Sequence, residues 1–397
     1  MSTLLRLATA GSVDDGKSTL VGRLLHDSKS VLADQLDAVE RVSRDRGLDT
    51  ADLALLTDGL RAEREQGITI DVAYRYFATA QRSFVLADCP GHVQYTRNTV
   101  TGSSTADALV LLVDARKGVL EQTRRHLAVA ALMRVPHVVI AVNKIDLVAH
   151  SEDVFRTLAA EVRAIATELG IPDAHAVPVS ALVGDNVVDR SANTPWYEGP
   201  SLLELLETLP ADTDPVHESF RMPVQVVIRP QGAARSPEHV EYRGYAGQLA
   251  SGSVRVGDEV VVLPSGLRST VAGIDLGDRS LDVAVAPQSV TIRLADDVDV
   301  SRGDLIAAAS DPVALRQEVT ALACWLGDEP LRPGARLLVK HGARTMLAMV
   351  RSIDGRLDLD APWLAPAASR GLADVGAVPA RAAAARPGEG DAKWRRG

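Results

Sequence analysis

The first half of the chain alternates short apolar runs with stretches of helical period. The apolar runs are residues 4–10, 84–87, 108–113, 137–142 and 176–179, and the helical stretches are 17–26, 92–103, 121–133, 152–169 and 201–209. This alternation predicts an α/β domain, with a mostly parallel sheet, helices on both faces and ligand loops at the carboxyl ends of the strands. One antiparallel pair is expected, 69–77 with 82–87, joined by a polar turn.

The pattern changes after residue 210. A linker rich in Pro and Asp, 210–215, leads into short strands separated by Gly and Pro turns, which is typical of a small antiparallel β-barrel. The segment 314–365 has the same style and predicts a second, incomplete β-barrel. Residues 366–397 are mostly Ala, Arg, Gly and Pro, too poor in large apolar side chains to order themselves. The predicted domains are therefore 1–210, 218–310 and 314–365, followed by a disordered tail, 366–397.

Length and charge restrict the classes of function. A chain of 397 residues holds two or three domains, and its net charge of −9 argues against nucleic acid or an anionic membrane as a partner. The two cysteines, Cys89 and Cys324, are too few for a disulfide framework. With no leader pattern at the N-terminus and no apolar run of transmembrane length, the prediction is a cytoplasmic protein.

Residues 11–18 match the phosphate-loop pattern G-x-x-x-x-G-K-[ST] between a strand and a helix. The glycines let backbone N–H groups approach phosphates at a helix N-terminus. Lys17 is expected to contact the β- and γ-phosphates and the Ser18 hydroxyl to bind Mg²⁺; the alternative is a strand–helix turn with a surface lysine. The residues expected around the phosphates are Gly11, Ser12, Val13, Asp14, Asp15, Gly16, Lys17, Ser18 and Thr19.

A second motif follows the strand 84–87 and consists of Asp88, Cys89, Pro90 and Gly91, with His92 directly after it. Asp88 is expected to hold Mg²⁺ through water and the Gly91 N–H to meet the γ-phosphate; a solvated aspartate at a strand end is the alternative. His92 is a candidate for orienting the attacking water, against the alternative of a surface histidine.

Thr69 is the candidate second Mg²⁺ ligand, on a switch loop that orders when the γ-phosphate is present. Its alternative is an ordinary strand threonine. Val13 and Ile68 are the expected apolar walls around the attacking water.

Two further motifs point to guanine. Asn143-Lys144-Ile145-Asp146 ends the strand 137–142, and Ser180-Ala181-Leu182 follows the strand 176–179. The Asp146 carboxylate can accept the N1–H and the exocyclic amine of guanine, whereas adenine lacks these donors. Asn143 is expected to join this loop to the phosphate loop, the Lys144 stem to cover the base, and a backbone N–H of Ser180, Ala181 or Leu182 to meet guanine O6.

These motifs together resemble the translation-factor class of GTPases. Within that class, the Asp14-Asp15 pair and the stretches 16–26, 52–65, 71–77 and 195–200 resemble the GTP-binding large subunit of bacterial ATP sulfurylase. The resemblance covers about residues 4–360. It implies a heterodimer with a small catalytic subunit that makes adenosine 5′-phosphosulfate and pyrophosphate from ATP and sulfate, with GTP hydrolysis coupled to this uphill reaction.

Three further expectations concern the alternative function and the C-terminal part of the chain. A translation-type GTPase that delivers aminoacyl-tRNA is the alternative function, which the acidic charge disfavours. Some relatives of the sulfurylase subunit carry a C-terminal adenylylsulfate kinase domain, and no second phosphate-loop motif follows residue 18 here. Residues 371–376 begin like the family's next strands and then give way to the tail, so the second barrel is expected to be incomplete, through truncation or a change of reading frame.

Overall fold

The structure is a computed structural model that describes residues 3–28, 33–45, 53–56, 71–92, 95–210, 218–233, 240–311, 313–327, 329–357, 364–366 and 377–384. The chain divides into two compact units. One comprises Met1–Asp212, Leu322–Leu331 and Asp354–Pro379, and the other comprises Thr213–Ala321, Arg332–Ile353 and Ala380–Gly397. The division into three domains and a tail stays a prediction.

The first unit contains a six-stranded sheet. Its strands are β1 Thr3–Ala10, β2 Ala73–Ala78, β3 Arg82–Asp88, β4 Ala108–Asp114, β5 His137–Asn143 and β6 Asp173–Pro178. The order is β2-β3-β1-β4-β5-β6, and every pair is parallel except the antiparallel pair β2–β3. The predicted α/β class and antiparallel pair are confirmed.

Six α-helices of the described residues belong to this unit. They are α1 Lys17–Asp27, α2 Ala33–Asp45, α3 Thr96–Ser103, α4 Glu121–Leu132, α5 Glu152–Glu168 and α6 Leu202–Thr208. Local chemistry explains their starts: the Ser151 hydroxyl accepts the Val154 N–H at α5, and Ser201 and Glu204 form a capping box at α6. The helix expected from residue 92 begins later, at Thr96.

The core of this unit lies on both faces of the sheet. Alternate residues of β1 enter different clusters, Leu5 and Leu7 on one side and Ala8 and Ala10 on the other, as the period of two requires. Strands β4 and β5 are buried along their whole length, because helices cover both faces. The buried Arg82 guanidinium also donates to the Leu206 and Leu209 carbonyls at 2.9 and 2.6 Å, which joins the end of α6 to the start of β3.

The region after the linker is antiparallel β-structure around a main apolar core, with a smaller cluster of Val261, Leu263 and Ala307 beside it. Its strands are β7 Arg221–Pro223, β8 Val226–Ile228, β9 Gly244–Gln248, β10 Ser253–Arg255, β11 Glu259–Leu263, β12 Leu267–Leu276, β13 Arg279–Leu281, β14 Val283–Val285, β15 Ser289–Leu294 and β16 Leu305–Ala308. They form a curled sheet of eight strands and a pair, β10–β14. Tyr245, Val260, Ile274, Ile292 and Ile306 are buried in its centre, in agreement with the predicted β-barrel.

The last strands are β17 Glu318–Cys324, β18 Arg336–His341, β19 Arg344–Ile353, β20 Gly355–Leu357, β21 Leu364–Pro366 and β22 Ala377–Ala384. Four of them form a sheet of order β17-β22-β19-β18, and β20 pairs with β21. Strand β22 differs from the expected disordered tail, since it pairs with β19. A strand edge offers backbone N–H and C=O groups with which another strand can pair. Across the described ranges, no helix is both long enough and apolar enough to span a membrane.

Candidate functional site

The phosphate loop runs from the end of β1 to the start of α1. Gly16 caps the helix at φ 92°, in the left-handed region that favours glycine. The Lys17 ammonium turns back over the loop, where its Nζ donates to the carbonyls of Gly11 and Ser12 at 3.0 and 3.1 Å. Because Lys17 is buried, its charge has a fixed position beside the backbone N–H groups expected to bind phosphate.

Buried carboxylates surround this lysine. Burial lowers the pKa of the Lys17 ammonium, while the charges of Asp88 and Asp15 act in the opposite direction. Burial also raises the pKa of the Asp15 carboxyl, although a hydrogen bond from the Ser12 N–H to Asp15 Oδ2, at 2.6 Å, partly offsets it. The Asp15 side chain therefore stabilises the turn of the phosphate loop through its hydrogen bond to the Ser12 backbone.

The segment after β3 reaches the phosphate loop at Gly91. A Cβ at this position would overlap Lys17 Nζ and the Gly11 carbonyl, so only glycine permits this approach. Asp88, at the end of β3, is fully buried and accepts a hydrogen bond from Thr9 Oγ1 at 2.9 Å. The Asp88 carboxylate and the Ser18 hydroxyl, in the first turn of α1, are oxygen donors of the type that Mg²⁺ prefers, so the residues present fit that ion.

His92 follows Gly91 directly and is half-buried. Its carbonyl accepts the Tyr95 N–H at 3.0 Å, and the two rings lie with centroids 6.0 Å apart. The Thr99 hydroxyl of α3 donates to the Pro90 carbonyl at 3.2 Å, which ties α3 to the motif. Thr69 and Ile68 lie outside the described residues, so their expected roles stay predictions.

Asn143 joins three motifs through one side chain. Its Nδ2 donates to the Asp15 carbonyl at 2.7 Å, and its Oδ1 accepts the Ala181 N–H at 2.9 Å. The first contact is the expected link to the phosphate loop. The second adds a link to the Ser180–Leu182 segment, so one buried amide joins the segments expected to contact the phosphates and the base.

Lys144 is oriented by a residue that the sequence analysis missed. The backbone of Lys144 is left-handed, at φ 61°, and its ammonium lies 2.9 Å from Asp114 Oδ2 and also binds the Asp14 carbonyl. Asp114 ends β4 and pairs with Arg116 as well, at 2.8 Å. Although burial raises the pKa of the Asp114 carboxyl, hydrogen bonds from Arg116 and Lys144 hold it well below its usual range. The sequence did carry a signal for this residue, because Asp114 is an acidic residue at the end of an otherwise apolar strand.

A second residue that the sequence analysis missed holds Ser180–Leu182, the other segment expected to contact guanine. Arg23, on α1, donates from Nε to the Ala181 carbonyl at 3.2 Å and from Nη2 to the Leu182 carbonyl at 2.5 Å. Asp146 is half-buried in a short 3₁₀ helix, Ile145–Val148. The two segments follow β5 and β6, which are neighbouring parallel strands, so they meet at the same edge of the sheet.

Comparison with known proteins places the chain in a family. Residues 2–212 match the family model of the elongation factor Tu GTP binding domain. A Cellvibrio japonicus (strain Ueda107) protein named sulfate adenylyltransferase subunit 1 is 50% identical over 359 residues, which cover 90% of this chain and 74% of that protein. The chain belongs to the sulfate adenylyltransferase subunit 1 family of GTP-binding proteins.

Two other relatives extend the comparison. The subunit 1 protein of Bacteroides fragilis (strain YCH46) is also 50% identical over 359 residues, with 90% of this chain and 74% of that protein covered. A Mycobacterium tuberculosis (strain ATCC 25618 / H37Rv) protein named bifunctional enzyme CysN/CysC is 54% identical over 361 residues, which cover 91% of this chain. The chain spans only 58% of the length of that bifunctional relative.

Proposed function

We propose that the chain is the GTPase subunit of a sulfate adenylyltransferase. It couples GTP hydrolysis to the formation of adenosine 5′-phosphosulfate and pyrophosphate from ATP and sulfate on a small catalytic subunit in the cytoplasm. The observation that carries the GTP site is the junction at Asn143, which holds the phosphate loop and the Ser180–Leu182 segment together. The names of the relatives support the sulfate chemistry and, through the words "subunit 1", a second subunit.

Different residues of the site bind the phosphates, the base, the attacking water and the metal ion. Lys17 and the Gly91 N–H bind the γ-phosphate, and Asp146 accepts the N1–H and exocyclic amine of guanine. His92, beside Gly91, orients the attacking water in line with the γ-phosphate. Ser18, Thr69 and, through water, Asp88 hold Mg²⁺. The ion, when bound, neutralises charge on the β- and γ-phosphates.

Nucleotide binding by the full chain tests the first half of the proposal. We expect calorimetric titration to detect GTP and GDP, no comparable affinity for ATP, and loss of binding in Lys17→Ala. The matched control is Lys340→Ala, since Lys340 is an exposed lysine on β18. Equal affinity of the wild type for ATP and GTP would remove the guanine assignment.

The hydrolytic role of His92 has its own test. His92→Ala is expected to keep GTP affinity and to lose most of its GTP turnover, measured as phosphate release. His341→Ala, which changes an exposed histidine of β18, serves as the control. Turnover of His92→Ala at the wild-type rate would exclude His92 from the reaction.

Reconstitution tests the coupling. The full chain is combined with the small catalytic subunit of a sulfate adenylyltransferase, and sulfate-dependent pyrophosphate release is measured with and without GTP. We expect GTP to increase the release and Lys17→Ala to abolish the increase. Pyrophosphate release that is independent of GTP would contradict the coupling. GTP-dependent retention of aminoacyl-tRNA on a filter would also contradict it, although the net charge of −9 disfavours binding of tRNA.

A further inference from the structure

Asp185 is a buried carboxylate three residues beyond the Ser180–Leu182 segment. It is 7% exposed and accepts three hydrogen bonds, from His150 Nε2 at 3.0 Å, Ser191 Oγ at 2.6 Å and Asn193 Nδ2 at 3.0 Å. A buried carboxylate with this many donors has a fixed orientation. None of these residues belongs to the motifs that predict the GTP site.

The histidine of this cluster follows the segment that carries Asp146. Ala149 and His150 are consecutive left-handed residues, at φ 54° and 53°, a conformation that is uncommon for alanine and that histidine adopts more often than most residues. Their surroundings hold them there. The His150 N–H donates to the Ile145 carbonyl at 2.9 Å, and the His150 carbonyl accepts the Trp196 indole N–H at 3.0 Å. Strained backbone that is held from several sides is typical of functional sites.

The backbone of Asp185 contacts the other base-reading segment. Its carbonyl accepts the Ser180 N–H at 3.1 Å, while the Gly184 N–H donates to the Ser180 carbonyl at 2.7 Å. The Val183 N–H donates to Ser180 Oγ at 3.3 Å. Asp185 therefore binds the residues after Asp146 through its side chain and Ser180 through its backbone.

We propose that the Asp185–His150 pair is a positioning element that holds the two base-reading segments at a fixed separation and thereby sets the discrimination between guanine and hypoxanthine. The inference rests on the proposed binding of GTP. The Asp146 carboxylate reaches the exocyclic amine of guanine only if its loop keeps its place relative to Ser180–Leu182. Hypoxanthine lacks that amine, so a loop that moves loses more affinity for GTP than for ITP.

The chain offers a matched control for this pair. Asp173 binds His137 Nδ1 at 2.7 Å and His175 Nε2 at 2.8 Å, at the start of β5 and β6 rather than at their carboxyl ends. Asp173→Ala therefore removes histidine–carboxylate contacts from the same two strands without touching a base-reading segment. It reproduces the loss of a histidine–carboxylate contact, at a carboxylate that is more exposed than Asp185.

The experiment measures the dissociation constants of GTP and ITP for the full chain by calorimetry. For Asp185→Ala we expect GTP binding to weaken about tenfold and ITP binding about threefold, so that the preference for GTP falls about threefold. Asp185→Asn keeps one oxygen for Ser191 and Asn193, and its amide N–H can donate to His150 Nε2 when the ring proton is on Nδ1. The pair therefore persists, and the variant is expected to retain most of the preference; loss of the preference as large as in Asp185→Ala would contradict this. Asp173→Ala is expected to leave the preference unchanged.

The preference of the variants for GTP over ITP decides between a positioning role and a structural role for Asp185. Equal weakening of GTP and ITP in Asp185→Ala, or an unchanged preference, overturns the positioning role and leaves a structural one. If Asp185→Ala does not fold, His150→Gly removes the imidazole of the pair at a left-handed position that glycine accepts, and the same loss of preference is expected from it; an unchanged preference there overturns the proposal. A wild type that binds ATP as tightly as GTP contradicts the proposed function instead, so the two failures are distinguishable.

Discussion

His126 on α4 makes the stability of the GTP-binding unit depend on pH. The imidazole is 2% exposed, and its Nδ1 has no hydrogen-bond partner within the described part of the chain. Burial, followed by the nearby charges of Lys17 and Arg125, lowers the pKa of His126 to about 3 from its ordinary value of 6.5. The ring is therefore neutral in the folded protein at any pH near neutrality.

The sign and size of the effect follow from linkage. Between pH 6.5 and 3 the unfolded chain binds a proton at His126 and the folded chain does not, so the stability from the neutral ring is present above pH 6.5 and is lost as pH falls. From pH 7 to pH 5 this loss is about 2 kcal/mol. His126→Leu removes the titrating ring and with it this part of the pH dependence.

Urea unfolding followed by tryptophan fluorescence, at pH 7 and pH 5, measures the effect. We expect the free energy of unfolding of the wild type to fall by about 2 kcal/mol more than that of His126→Leu over this interval. Leu206→Ala, at a fully buried position of α6, is the control. It should cost about 2–5 kcal/mol at both pH values. Parallel pH dependences in wild type and His126→Leu would refute the reasoning.

Three further predictions concern the site and its frame. Gly91→Ala is expected to weaken GTP binding at least about tenfold, since its Cβ would overlap Lys17 Nζ and the Gly11 carbonyl; calorimetry with unchanged affinity would contradict this close approach. Asp146→Asn should shift the preference from GTP to XTP, because an amide donates where the carboxylate accepts, and competition titration in which XTP gains nothing would be evidence against it. Arg82→Met should lower the free energy of unfolding by about 2–3 kcal/mol through loss of two carbonyl contacts, whereas an unchanged urea midpoint would show that they add nothing.

The local pattern of the sequence predicts the frame of the site well. Strands β4 and β5 are continuous apolar runs, and the structure buries both completely. The phosphate-loop and Asn143 motifs stand at strand ends, so their convergence follows from the parallel sheet. Helix starts were less accurate, as at Thr96, because motif residues before a helix continue its apolar pattern.

The contacts that orient the motifs could not be predicted from one sequence. Arg23 binds Leu182 across 159 positions, Lys144 binds Asp114 across 30, and His150 binds Asp185 across 35. Such partners are brought together by the sheet, and neither residue type nor local period identifies them. Strand β22 was missed for a related reason, since its partner β19 supplies the pairing edge and alanine-rich sequence carries no strand signal of its own.

The packing of Cys89 makes its thiol a probe for the opening of α3. Cys89 lies beside Asp88 with no exposed surface, and burial raises the pKa of its thiol. Its Sγ occupies the space that Gly102 of α3 leaves free, because a Cβ there would overlap the sulfur. An alkylating reagent therefore reaches the thiolate only after α3 separates from the sheet. In a Cys324→Ser background, the rate of Cys89 alkylation would therefore report how readily α3 opens. Comparing this rate with GDP bound and with a GTP analogue bound would show whether the nucleotide changes the opening.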